Sequence, residues 1–246
     1  MKKRLKKRTK ILIALAVVLA LGAGAVGVLH YVGLIDLFPH YNKPADGQVR
    51  VACVGDSVTF GHGIRNRSSN SYPAQLGKLL GNGYCVNNYG ISGSTATSTG
   101  DQPYTETSAY PKSLTFEPDI VVLMLGSNDS KPYNWDAKQF EADYNALIDT
   151  YLALPSNPEI WVVLPTPVFP VNGEVGFHID GDVIQNEVVP LTRKIAEERG
   201  LHVIDMNAAF AGRDDLFSDG CHPTKEGAAL YAKTVYEALT GAEKRG

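Results

Sequence analysis

Five short apolar runs punctuate the chain from residue 49 onward: Val49–Val54, Cys85–Tyr89, Ile120–Leu125, Ile160–Leu164 and His202–Asp205. Two of them, "DIVVLMLG" and "EIWVVLP", are almost continuously apolar, the pattern of strands covered on both faces. Between the runs the periodicity becomes helical. After Asp136, the positions Phe140, Tyr144, Leu147, Ile148, Tyr151 and Leu152 share one helical face. Asp136 can cap that helix and Pro155 lies just past its end. "SYPAQLGKLLG", "VIQNEVVPLTRKIAEERG" and "TKEGAALYAKTVYEAL" read as further helices, with Pro190 kinking or restarting the one it interrupts. Strands alternating with helices predict a three-layer α/β/α sandwich on a five-stranded parallel sheet with right-handed crossovers. Residues 92–118 have weak periodicity and read as a long surface loop.

Ahead of residue 49 the pattern is different. "MKKRLKKRTK" carries seven basic residues and no acidic one, and the next 19 residues, Ile11 to Leu29, carry no charge. At ~1.5 Å per residue they make a helix of roughly 28 Å, about one hydrocarbon core. The basic segment, 1–10, is expected to stay cytoplasmic, which puts everything after the span outside. Two fates are open. Residues 11–32 serve as a single-pass anchor in the cell membrane, which the continuing run "VLHYVGLIDLF" favours. Alternatively they act as a signal segment cut near Ala25, within Ala23-Gly24-Ala25, and the protein is secreted. Residues 33–48, ending in "FPHYNKPADG", read as a linker, 49–240 as the domain and 241–246 as a tail.

Charge follows the same division. Setting aside the seven basic residues of the first ten leaves 16 Lys and Arg against 26 Asp and Glu, near −10 for the outer part. So acidic a domain has no basic footprint for nucleic acid. The three cysteines, Cys53, Cys85 and Cys221, have no C-x-x-C spacing. Cys53 and Cys85 lie in strand-like runs as buried thiols, and no disulfide framework is indicated.

Chemistry-bearing residues cluster just past the strand ends, where parallel sheets put their sites. "GDSVTFG" presents Ser57 after the first run, although a turn residue or helix cap fits the same letters. A serine nucleophile needs a base, a group to orient that base, and donors for the oxyanion. Of six histidines, His30 and His40 belong to the anchor and linker and His202 opens a strand. His222 follows the last strand in "SDGCHPT", three residues after Asp219, while His62 and His178 also sit in polar or irregular segments. A plain helix-entry turn is the structural alternative for that stretch. "NYGISGST" and "LGSND" follow the second and third runs, where glycine lets backbone approach closely and Asn128 adds an amide. There is no G-x-S-x-G elbow, H-E-x-x-H or P-loop, and "GHGIRN" lacks the third glycine of a dinucleotide loop. Neither a metal nor a cofactor is called for.

Taken together, "GDSVTFG", "ISGST", "GSND" and "DGCHP" make the chain resemble the SGNH superfamily of GDSL-type esterases and lipases over about Val49 to Leu239. The resemblance implies a flavodoxin-like sandwich and a carboxylic ester hydrolase working through an acyl-enzyme. It implies Ser57 as nucleophile, Asp219 and His222 as its partners, and Ser57, Gly93 and Asn128 as the oxyanion hole, with Gly90 the alternative glycine. "SYPAQL" and "LGSNDSKPYNW" resemble the carbohydrate O-acetylesterase-like branch. That implies acetyl groups on a sugar or glycan as substrate, with Asp56, Tyr133, Asn134 and Trp135 beside it. A lysophospholipase or thioesterase, an envelope O-acetyltransferase and a non-catalytic binding module remain alternatives.

Overall fold

The computed structural model describes residues 22–35 and 40–243. Its sheet is five-stranded and parallel, β1 Val49–Gly55, β2 Tyr84–Gly90, β3 Ile120–Met124, β4 Glu159–Leu164 and β5 His202–Asp205, in the order β2-β1-β3-β4-β5. The apolar runs are apolar throughout because both faces are covered. Along β1, Val51 and Cys53 face one helical layer, and Ala52 and Val54 face the other. The first layer is α2 (Tyr72–Leu80) and α6 (Lys225–Glu243), which supply Tyr72, Leu76, Tyr231 and Val235. The second is α4 (Ala137–Leu152) and α5 (Val189–Glu198), which supply Phe140, Tyr144, Ile148 and Ile195. Two shorter helices, α1 (Ser57–Phe60) and α3 (Tyr110–Thr115), follow β1 and precede β3. The three-layer sandwich is therefore the one expected from the strand and helix pattern.

Pro190 restarts its helix, as expected: residues 184–188 form a π turn in which the Val189 N–H reaches back to Ile184, and α5 starts with Pro190 in its first turn, where a missing N–H costs nothing. Two local details differ from expectation, each for a physical reason. Residues 92–118 are no surface loop, because Tyr104 and Ala109 are fully buried in the α4 layer and α3 lies within the segment. The stretch 40–48, read as linker, lies along the edge strand β2. Asn42 exchanges hydrogen bonds with Asn87 and donates to the Val86 carbonyl, and Tyr41 stacks on Tyr89 with ring centroids 4.7 Å apart. It thereby covers part of an exposed sheet edge. Further upstream, a helix over residues 22–31 runs into contacts with the turn that follows α1. The Asn66 N–H donates to the Tyr31 carbonyl and the Gly63 N–H to that of Gly33. Among the described residues no helix is long and apolar enough to cross a membrane. Half of the expected 11–32 span, residues 11–21, lies outside those described, and the other half holds the helix over 22–31.

Because β1 sends one crossover to β2 and its other neighbour is β3, the strand order reverses beside β1. Crevices at such a reversal, outside the carboxyl ends, are where these sheets bind ligands. Ser57 and Asn128 follow the two strands that flank this point.

Candidate active site

β1 ends at Gly55, and Asp56 caps α1 by accepting the Val58 N–H at 3.0 Å. This strand-to-helix turn leaves Ser57 as the first residue of a four-residue helix that stops at Gly61, whose φ is +87°. Glycine is required beneath the turn, since a side-chain carbon on Gly90 would meet the backbone of Thr59 and Phe60. Asp56 is 1% exposed and does not line the cavity described below, so it shapes the nucleophile turn rather than meeting substrate. Burial pushes its carboxyl up to about 6, against the opposing pull of the Val58 N–H and the His222 ring.

The second component comes from the turn before α6, where Gly220 takes φ +80°. The His222 ring bridges the two ends of the sequence. Its Nδ1 lies 2.8 Å from Asp219 Oδ2 and its Nε2 3.0 Å from Ser57 Oγ. Asp219 Oδ1 also accepts the backbone N–H groups of Cys221 (3.0 Å) and His222 (2.7 Å). Partial burial raises the Asp219 carboxyl, but the bonds from the His222 ring and backbone outweigh it and hold it at about 2. It is therefore an anion at neutral pH. An anionic acceptor fixes the proton on Nδ1 and leaves Nε2 free to receive one from the serine hydroxyl.

Donors lie opposite the histidine. Gly93, at φ +88°, and Asn128 line the same cavity of about 320 Å³ as Ser57 and His222. The Gly93 N–H has no partner among the described residues, whereas the Gly90 N–H is bound to Asn88 Oδ1 at 2.9 Å. Of the two candidate glycines, then, only Gly93 is at the cavity. Asn128 Nδ2 donates one hydrogen to the Ser94 carbonyl at 3.1 Å, which fixes the plane of its amide. The loops bearing these donors are bonded to each other. Buried Asp129 accepts the N–H groups of Ala96 (3.0 Å) and Thr97 (2.9 Å) and the Thr97 hydroxyl (3.0 Å). Asn134 donates to the Asn128 carbonyl (2.9 Å) and to Asp101 (2.8 Å), and accepts the Asp101 N–H (3.0 Å). Lys131 closes the network with an ion pair to Asp101 at 2.9 Å.

The facing wall is the segment between β4 and α5. Thr166, Val168, Phe177, His178 and Ile179 line the cavity there. Phe177 meets the His222 ring edge-on with centroids 4.8 Å apart, and His178 meets Tyr133 at 6.3 Å. His62 lies 4.5 Å from the His222 ring, and burial together with the charge of His222 lowers its affinity for a proton. Both histidines that spacing left open thus belong to the cavity, but neither is bonded to Ser57.

Of the residues expected beside the substrate, Tyr133 lines the cavity and is 60% exposed. Asn134 and Trp135 are corrections. Asn134 is buried in the loop network. Trp135 turns away, with its ring on Phe140 at 5.4 Å and Nε1 bonded to Glu187 at 2.8 Å. The sequence reading missed Asp101, Asp129, Lys131 and Phe177. Only Asp129 and Lys131 carried a signal, being next to Asn128. A larger cavity of about 740 Å³ lies between residues 30–35 and 40–42 and the β2–α2 side, but it shares only Ser92 with the smaller one. The smaller one is the candidate active site, because Ser57 and His222 open into it. Among the described residues no group of three or more His, Cys, Asp or Glu side chains is placed to hold a metal ion.

A sequence model described as the GDSL-like Lipase/Acylhydrolase family matches residues 53–230. An acetylxylan esterase of Xylanibacter ruminicola is 35% identical over 215 residues, 80% of this chain and 44% of the relative. The chain spans about half the length of the curated relatives it matches. Among solved structures, a carbohydrate acetylesterase from Sinorhizobium meliloti superposes with a TM-score of 0.62 at 20% identity, covering 79% of this chain and all of that one. An aryl esterase of M. smegmatis superposes with a TM-score of 0.65 at 21% identity, covering 78% and 99%. These likenesses share the fold.

Proposed function

Because the chain belongs to the GDSL-like lipase/acylhydrolase family, we propose that it is a serine esterase that removes short acyl groups, acetyl above all, from carbohydrate. The observation that carries this reading is the unbroken relay from Ser57 Oγ through His222 to Asp219, at 3.0 and 2.8 Å. Ser57 attacks the ester carbonyl as His222 Nε2 takes its proton, and the Asp219 anion stabilises the imidazolium that forms. The oxyanion is received by the N–H groups of Ser57 and Gly93 and by the amide of Asn128. As the tetrahedral species collapses, the carbon–oxygen bond to the alcohol breaks and His222 returns the proton to the leaving oxygen. Water, deprotonated by the same ring, then releases the acid and the free serine.

Two observations favour a small acyl group on a polar alcohol. A cavity of about 320 Å³ is at the small end for ligand pockets. Its lining mixes the polar His62, Tyr133 and His178 with the apolar Val58, Val168, Phe177 and Ile179. The acetylxylan esterase relative points the same way. We further propose that residues 11–32 anchor the chain in the cell membrane, with 1–10 cytoplasmic and the domain outside. The length and charge pattern of that segment support this.

A hydrolysis panel tests the substrate class, with Ser57→Ala as the blank. Acetate release from acetylated xylan, absent in the variant, is the expected result. Faster turnover of lysophospholipid or long-chain acyl thioester would overturn the carbohydrate reading. Intact mass of the membrane-extracted protein tests the anchor: a chain beginning after Ala25 would refute it.

A further inference from the structure

The segment from Pro165 to Asp180 is tied down at both ends and strained in between. At one end the Phe169 N–H donates to the Gly220 carbonyl at 2.8 Å, next to the Asp219–His222 turn. At the other, the Asp180 N–H donates to Ser130 Oγ at 3.1 Å, next to the Asn128 turn. Between these ties, Val171 and Glu174 pair with each other across a tight turn at Asn172 and Gly173. Then two consecutive residues with full side chains, Phe177 (φ 63°, ψ 18°) and His178 (φ 58°), adopt the left-handed conformation. Left-handed backbone is unfavourable for residues with a full side chain, and strain of this kind is retained where it positions something. Here it positions a ring. Phe177 is 50% exposed, yet it stands edge-on to His222 at 4.8 Å and within 6.3 Å of His62. The exposed half of the ring is therefore free to meet a ligand beside His222.

We propose that Phe177 is the residue that recognises the alcohol portion of the substrate, stacking against the sugar ring whose ester faces Ser57. This rests on the carbohydrate-ester reading above and assigns its specificity to one side chain. Phe177 and Tyr133 are the two large exposed hydrophobic side chains of the cavity mouth among the described residues. They come from opposite walls, with His178 between them in contact with Tyr133 at 6.3 Å. The result is an arc of planar groups around the opening, which suits the flat apolar face of a pyranose. His62 and His178 line the same cavity, and their ring nitrogens can address sugar hydroxyls. A long acyl chain has no use for such an arc at the alcohol side, and a small aliphatic alcohol has no flat face to lay against it.

The test compares kcat/KM for acetylated xylo-oligosaccharides with kcat/KM for methyl acetate, which shares the acyl group and has no ring. Phe177→Gly removes the ring and relieves the backbone, so the segment keeps its path. Phe177→Tyr keeps the stacking face. The ratio of the two kcat/KM values should fall about fivefold or more in Phe177→Gly, the factor expected when one aromatic contact is lost. The fall should appear in KM for the oligosaccharide, and Phe177→Tyr should restore it. Equal losses on both substrates, or an unchanged ratio, would overturn the assignment while leaving the carbohydrate reading intact. A wild-type enzyme that handles the oligosaccharide no better than methyl acetate would instead defeat the carbohydrate reading, and this assignment with it.

Discussion

The two walls of the cavity are built in opposite ways. The oxyanion wall, residues 92–101 and 126–135, is cross-bonded through buried groups. Asp129 takes three hydrogen bonds from Ala96 and Thr97, and Asn134 and Lys131 hold Asp101. The facing wall, residues 166–179, is tied at its ends and bonds mainly to itself between them, with two left-handed residues at its tip. The difference follows the chemistry each must do. Donors for a transition-state charge work only when fixed before the reaction, because reorienting them costs the stabilisation they provide. Under the proposed function the facing wall meets the alcohol portion, for which shape matters more than a fixed set of donors.

The largest way to break this contrast is Asn128→Ala. Losing one oxyanion donor should lower kcat by about 10²–10³ with the fold intact, measured by acetate release alongside circular dichroism. Undiminished turnover would remove Asn128 from the mechanism. Next comes pH. Burial raises Asp56 to about 6, so the folded state holds a proton that the unfolded chain has already released. Stability must therefore fall as pH rises from about 4 to about 6, a loss that Asp56→Asn should abolish. Melting curves of the two proteins should diverge by several degrees across that window. Parallel curves would mean that the carboxyl ionises at its ordinary value. The Asp219 carboxyl, held at about 2, has the opposite sign: its contribution is present above about 4 and lost as pH falls toward 2.

Smaller effects separate positioning from contact. Asn134→Ala should cut kcat roughly tenfold with little change in KM, since it loosens the turn that aims Asn128 without touching substrate. A loss confined to KM would put Asn134 in the binding surface after all. On the facing wall, Phe177→Gly should raise the melting temperature slightly, as relief of about 1 kcal/mol of backbone strain outweighs the half-buried ring. A pronounced drop would show that wall to be as structural as the other.

What could be read from the letters alone divides along the same line. The strands were legible because burial on both faces writes itself as continuous apolar runs. Asp136 was legible as a cap because capping is local, and the structure has it accepting from Lys138 and Gln139. Asp219 and His222 lie three residues apart, so their pairing needed only a tight turn. The Asp101–Asn134 clamp joins residues far apart in sequence, and no spacing reveals it. Phe177 and His178 were equally hidden, since left-handed backbone at ordinary side chains is imposed by tertiary ties. Trp135 misled for the converse reason. An aromatic beside a site motif looks like a rim, yet the start of α4 turns it toward Phe140.

The bonds from Tyr31 and Gly33 to the turn just behind α1 begin downstream of Ala25. Whether the chain keeps its leading segment or sheds it there, the same clasp travels with the mature domain. Tethered and released forms would carry one and the same reactive pocket. An upstream anchor would join the domain beside the turn that follows the Ser57 helix.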